Sequence, residues 1–140
     1  MANVILFRPP ECYSLDLSTR RCPLGLLYLA APLREQGYSV QIIDSQTCPD
    51  WQAALAQALD AETICVGASV MTGYPIKGAL EFAAAAKALG SGRSVPVVFG
   101  GLHPSFYFRT RLGALTKGLW LYNLDARTFR LAKRVLRLAA

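Results

Sequence analysis

The sequence predicts an α/β domain: a parallel sheet of four or five strands with helices on both faces. Three observations predict it. Short runs rich in β-branched and aromatic residues recur at 2–7, 39–44, 63–70 and 95–99. Segments with helical spacing of apolar residues lie between them, so strand and helix alternate. The strands are apolar almost throughout, as strands covered on both faces are.

Each element has its own signal. Residues 2–7 read as a buried first strand, followed by a long loop, 8–22, that Pro9-Pro10 opens. Pro23 suits the start of a helix, because its fixed φ is helical and its missing N–H is not needed there. Leu24, Leu27, Tyr28, Ala31 and Leu33 follow at helical spacing up to Gly37, with Pro32 expected to kink or shorten that helix. Residues 39–44 alternate and end on Asp44. Asp50 is a natural N-cap for a helix marked by Trp51, Leu55, Ala58 and Leu59. Residues 63–70 form the third strand. In the helix over 75–89, Ile76, Leu80, Ala83, Ala84 and Leu89 are expected on the buried side, with Lys77, Glu81 and Lys87 outside. Gly90-Ser91-Gly92 closes it, and residues 95–99 form the fourth strand. Residues 119–122 offer a fifth. Asp125 caps a last helix, 126–139, with Phe129, Ala132, Val135, Leu136 and Ala139 on one stripe and five basic residues opposite.

Composition narrows the function classes. The 140 residues suit one domain with a real core, and 53% hydrophobic against 17% charged residues argues against disorder. No apolar run reaches the length of a membrane span, about 18 residues, without a charge or proline. The start lacks a basic n-region, so no signal peptide is expected and the cytoplasm is the expected location. Cys12, Cys22, Cys48 and Cys65 show no C-x-x-C pairing, so neither a zinc site nor an iron–sulfur cluster is expected in this chain. Charge is unevenly placed. Residues 1–106 carry seven Lys/Arg and eight Asp/Glu, while 107–140 carry eight and one. We therefore expect an α/β domain over 1–106 and a basic, mostly helical extension over 107–140 packing on or beside it. No aromatic residues interleave the basic stripe, so nucleic acid is not the expected partner.

Two stretches stand where apolar strands stop: Ser69-Val70-Met71-Thr72-Gly73 and Gly100-Gly101-Leu102-His103-Pro104. Ligands of open α/β sheets bind outside the carboxyl ends of the strands. These stretches put a hydroxyl and a bare Gly-Gly turn there. No G-x-G-x-x-G follows the first strand, which argues against a dinucleotide. The sole histidine, His103, leaves acid–base catalysis without a partner, and no catalytic residue is assigned.

Four blocks together resemble the cobalamin-binding domain found at the N-terminus of cobalamin-dependent radical-SAM enzymes. They are Pro9-Pro10, the helix opening Pro23-Leu24-Gly25-Leu26-Leu27-Tyr28, the Ser69–Gly73 stretch and the Gly100-Gly101-Leu102-His103-Pro104 stretch. The resemblance covers roughly residues 3–106. It implies a Rossmann-like or flavodoxin-like sheet with the corrin over its carboxyl edge and the dimethylbenzimidazole nucleotide tail threading down into it. It assigns cofactor contact to Ser69, Val70, Met71, Thr72, Gly73, Gly100, Gly101, His103 and Pro104. Ser69 would bond the tail's aromatic nitrogen, and the glycines would leave room for it.

Two departures qualify the resemblance. Better-known cobalamin domains carry D-x-H-x-x-G after the first strand, whose histidine ligates cobalt. Residues 10–22 contain no histidine, so cobalamin is expected base-off, with no protein ligand to cobalt. The C-x-x-x-C-x-x-C motif of a radical-SAM domain is absent from this sequence. Tyr122-Asn123-Leu124-Asp125-Ala126-Arg127 faintly resembles a segment of that barrel, as in an internally deleted relative. A separate radical-SAM chain or a homodimer mate would then be the partner. The alternative is a non-catalytic interaction module with a degenerate cleft and a basic helical tail; a small FMN-type flavodoxin is a third reading.

Overall fold

The computed structural model describes residues 3–11, 21–90, 95–107 and 120–122. Cys12 and the expected tail helix 126–139 lie outside the described residues. The strands are β1 (Asn3–Arg8), β2 (Ser39–Asp44), β3 (Thr63–Ser69), β4 (Val97–Gly100) and β5 (Trp120–Tyr122). The helices are α1 (Leu24–Glu35), α2 (Trp51–Ala58), α3 (Pro75–Leu89) and α4 (Leu102–Tyr107). Sheet order is β2-β1-β3-β4-β5.

β1 to β4 are parallel, as expected. The expected parallel sheet is thus the four-stranded one, and β5 lies antiparallel to β4 at its edge, pairing Trp120 with Phe99 and Tyr122 with Val97. Residues 108–119, which join α4 to β5, lie outside the described residues.

Strand alternation divides the core between two faces. Ile5, Phe7, Val66, Ala68, Val97 and Phe99 pack with Trp51 and Leu55 of α2 and Phe82, Ala83 and Ala86 of α3. Phe7 stacks on Phe82 with ring centroids 4.2 Å apart. On the other face Val4, Leu6 and Cys65 meet Leu26, Ala30 and Leu33 of α1. Burial there pushes the Cys65 thiol up to about 11, so it stays protonated at neutral pH.

Local signals set the helix ends. α1 begins directly after Pro23, whose carbonyl accepts from the amides of Leu26 and Leu27. It runs through Pro32 to Glu35, so the proline does not shorten it. Gly37 closes it with φ +84°, and the Tyr38 amide donates to the Leu33 carbonyl at 3.0 Å. Asp50 caps α2 as expected, accepting from the Ala53 amide at 3.2 Å.

Two buried stripes differ from expectation. α1 buries Leu26, Ala30 and Leu33, leaving Leu24 60% and Tyr28 78% exposed. α3 buries Pro75, Gly78, Ala79, Phe82, Ala83 and Ala86, leaving Leu80 and Leu89 exposed. The α3 face is the one that lets small residues approach: a Cβ on Gly78 would stand 2.8 Å from Cδ of Pro10. That contact seats the Pro9-Pro10 turn against the helix.

Candidate functional site

The chain leaves β1 toward β2 on one side and places β3 on the other, so the sheet's switch point lies between β1 and β3. At the carboxyl edge beside it, the loops after β3 and β4 join into one unit. The Val70 amide donates to the Gly100 carbonyl at 2.7 Å, and the His103 amide donates to the Val70 carbonyl at 3.0 Å. Thr72 Oγ1 lies 3.3 Å from His103 Nδ1. Gly101 has φ +100°, and a Cβ there would stand 3.0 Å from the Val70 carbonyl oxygen and 3.4 Å from Ser69 Oγ. The two stretches picked from the sequence are thus brought together.

Their residues divide by role. Val70 and Pro104 are buried, and Val70 belongs to the α3-side core, so its backbone rather than its side chain serves the loop. Met71, Thr72 and Gly73 are exposed, and His103 is half-buried. Gly73 has φ +101°. The first amides of α3 are taken: Ile76 donates to the Gly73 carbonyl and Lys77 to that of Tyr74, both at 3.1 Å. That helix end therefore does not offer those two amides to a ligand. Lys77 is exposed and lies 3.8 Å from Glu81.

Below the loops, the sheet face on the α1 side carries a bare strip. Val66 and Ala68 point to the α3-side core and Cys65 to the α1 side, so alternation puts Gly67 and Ser69 on the α1 side. The same reasoning puts Val98 and Gly100 there. Register pairs Ser69 with Gly100 and Gly67 with Val98, giving two successive rungs that descend from the carboxyl edge. All four residues are half-buried, whereas their α3-side neighbours are buried. Among the described residues, a Cβ on Gly100 would meet nothing within 4 Å, and one on Gly67 would meet the end of Leu6 at 3.1 Å. The strip is, among the described residues, a trench at its two glycines, with Leu6 at its side and the Ser69 hydroxyl at its carboxyl end. Sequence reasoning passed over Gly67; the available signal was a glycine inside a strand, which marks close approach of a ligand or backbone.

A charged group continues the upper rung. Arg8 pairs in register with Asp44 and lies one residue beyond the Phe7–Ala68 pair, which puts it beside Ser69. Its buried guanidinium meets Glu11 at 2.6 Å and Asp44 at 3.4 Å, and donates to the Arg21 carbonyl. Arg8 therefore ties the loop after β1 and the approach to α1 to the end of β2. Among the described residues, no group of three or more His, Cys, Asp and Glu could hold a metal ion. No described helix is long and apolar enough to cross a membrane.

Residues 18–117 match the family described as the B12 binding domain. The chain belongs to the B12-binding domain family. Two solved structures of the radical S-adenosylmethionine methyltransferase TsrM from Kitasatospora setae are similar in fold. One, with tryptophan substrate and a SAM analogue bound, is 22% identical with a TM-score of 0.56, over 72% of this chain and 19% of that one. The other, with cobalamin and a [4Fe-4S] cluster bound, is 24% identical with a TM-score of 0.55, over 72% and 18%. This B12-binding domain thus spans less than a fifth of the length of those chains. No curated protein matches it. The resemblance read from the sequence is borne out at the level of family and fold.

Proposed function

We propose that this domain binds cobalamin, with the corrin over the carboxyl edge and the nucleotide tail in the trench over β3 and β4. The observation that carries the reading is the Ser69–Gly100 rung, where a hydroxyl stands beside a position whose Cβ space is open. The bound cofactor supplies a cobalt centre for methyl transfer or related S-adenosylmethionine chemistry. Ser69 donates to the tail's ring nitrogen. Gly100 and Gly67 leave the width a planar base needs, and Gly101 locks the two loops by its fit on Val70. Met71, Thr72, Gly73, His103 and Pro104 form the rim and its support.

Cobalamin is held base-off, with no protein histidine on cobalt. The sole histidine of the chain is in the first turn of α4, beside Thr72, not after β1. The radical-SAM step belongs to another chain or to a further domain, and a homodimer mate is the other possible neighbour. The exposed Leu24, Leu27 and Tyr28 of α1 support a contact of that kind. The reading keeps the division into 1–106 and a basic extension over 107–140, and the cytoplasm as location.

Mixing the protein with hydroxocobalamin and desalting tests the proposal. A red protein with a base-off spectrum, unchanged in His103→Ala, is expected. A colourless protein overturns cofactor binding, and a spectral change in His103→Ala that reports loss of an imidazole overturns the ligand assignment.

A further inference from the structure

We propose that the guanidinium of Arg8 is the seat of the phosphodiester of the nucleotide tail, and that Glu11 occupies that seat until the tail arrives. This rests on the reading of the domain as one that binds cobalamin at its carboxyl edge.

Arg8 stands in the row on which the site is built. Val4 and Leu6 of β1 face the α1 side, so alternation puts Arg8 there too, with Ser69 and Gly100. Asp44 pairs with Arg8 and Ser69 with Gly100, while Arg8 lies one residue beyond the Phe7–Ala68 pair, beside Ser69. Neighbouring strands are about 4.8 Å apart, so a positive charge and a hydroxyl are neighbours at that edge.

The two edges of the guanidinium have different partners. Nη1 is structural: it meets Asp44 Oδ2 at 3.4 Å and donates to the Arg21 carbonyl. The other edge, Nε and Nη2, meets Glu11 alone among the described residues, at 3.2 and 2.6 Å. Both bonds go to one oxygen, Oε1, so a planar fork is met by a single acceptor. Arginine pairs best with two oxygens side by side. The Glu11 side chain is also 41% exposed, and it is three residues from Arg8 along the chain. An ion pair that is local and open to water contributes little and gives way readily.

A phosphodiester supplies what Glu11 lacks. It has two unesterified oxygens that match Nε and Nη2, and it carries one negative charge. Exchange therefore leaves the local charges as they were, with Arg8 between two anions, while the Glu11 carboxylate returns to water. The fork reads the phosphate and not the ring of the base, so a ligand that has the phosphate but no base would use it too.

Equilibrium titrations of the full chain, read by visible absorbance and by bound cobalt after gel filtration, test this. The probes are cobinamide, which ends before the phosphate, cobinamide phosphate, which adds that group alone, and hydroxocobalamin. Cobinamide phosphate should bind about tenfold tighter than cobinamide, as a charge-assisted bond would make it. Glu11→Gln removes the competing anion at an exposed position. It should tighten cobinamide phosphate and hydroxocobalamin about two- to fivefold and leave cobinamide unchanged. Arg8→Lys keeps a positive charge beside Asp44 without the fork, and should shrink the phosphate preference severalfold. If the Arg8–Glu11 pair only held the loop, Glu11→Gln would weaken all three ligands or none. Cobinamide phosphate binding no tighter than cobinamide overturns the phosphate seat and leaves cofactor binding standing. Glu11→Gln binding hydroxocobalamin no tighter than the parent does the same. Binding of none of the three contradicts the cofactor reading and the phosphate seat with it.

Discussion

A Cβ on Gly101 would stand 3.0 Å from the Val70 carbonyl oxygen and 3.1 Å from the Val70 amide nitrogen. Val70 in turn accepts from the His103 amide and donates to the Gly100 carbonyl. Gly101 is therefore the point at which the loops after β3 and β4 close on each other. Its neighbour Gly100 has a different surrounding, with nothing within 4 Å of its Cβ position among the described residues. Two adjacent glycines thus serve two purposes, one holding the loops and one leaving space.

This difference makes a paired prediction. Gly101→Ala puts a side chain at φ +100° against backbone, and should lower stability by about 1–3 kcal/mol, seen as a fall in Tm. Gly100→Val should keep the Tm of the unsubstituted protein but lose cobalamin. Retained binding by Gly100→Val would mean that the tail does not pass there.

Much of this was legible from residue types. The ends of β3 and β4 could be located because a hydroxyl and two glycines interrupt apolar runs, and the Asp50 cap was visible from its place before Trp51. The buried faces of α1 and α3 were not legible. Leu24, Leu27 and Tyr28 repeat with the same period as Leu26, Ala30 and Leu33, and periodicity cannot say which of two apolar faces meets the sheet. On α3 the small residues Gly78 and Ala79 win the interface because Pro9-Pro10 and the sheet come close, which no hydrophobicity pattern records. The Arg8–Asp44 pair depends on register between β1 and β2, which no single residue type announces.

The Arg8 side chain neutralises Asp44 where both are nearly buried. Arg8→Met should cost about 3–5 kcal/mol, because it leaves an uncompensated carboxylate out of water. Adding Asp44→Leu should recover a large part of that loss. Chemical denaturation of the single and double variants measures both. A double variant no more stable than Arg8→Met would refute the pairing.

Asp60, at the opposite edge of the sheet, is held by hydrogen bonds. Thr63 Oγ1 donates to its carboxylate at 2.9 Å and the Glu62 amide at 3.0 Å, and these bonds hold the Asp60 carboxyl below its usual range. A folded pKa below the unfolded one gives stability that is full above the unfolded value and is lost as pH falls through the folded one. Acidification from about pH 6 to about pH 3 should therefore lower the Tm less in Asp60→Asn than in the parent. An identical drop in both would show that Asp60 does not contribute.

Three aromatic rings pack together on the α3 side of the core. Phe7 and Phe82 are fully buried at 4.2 Å, and Trp51 lies 5.0 Å from Phe7. Phe82→Ala should cost about 3–5 kcal/mol and Phe82→Leu distinctly less. The denaturation midpoints of the two variants decide it, and equal losses would mean that the cavity collapses.

The central claim is that the strip beside Ser69 and Gly100 holds the nucleotide tail of a base-off cobalamin. Titration of the full chain with hydroxocobalamin, followed by visible absorbance, tests it most directly, with Ser69→Ala measured in parallel. The account predicts saturable binding with a base-off spectrum, weakened in Ser69→Ala by about 0.5–1.5 kcal/mol, the worth of one neutral hydrogen bond. Absence of binding by the folded protein, or a spectrum with the lower base still on cobalt, would contradict it.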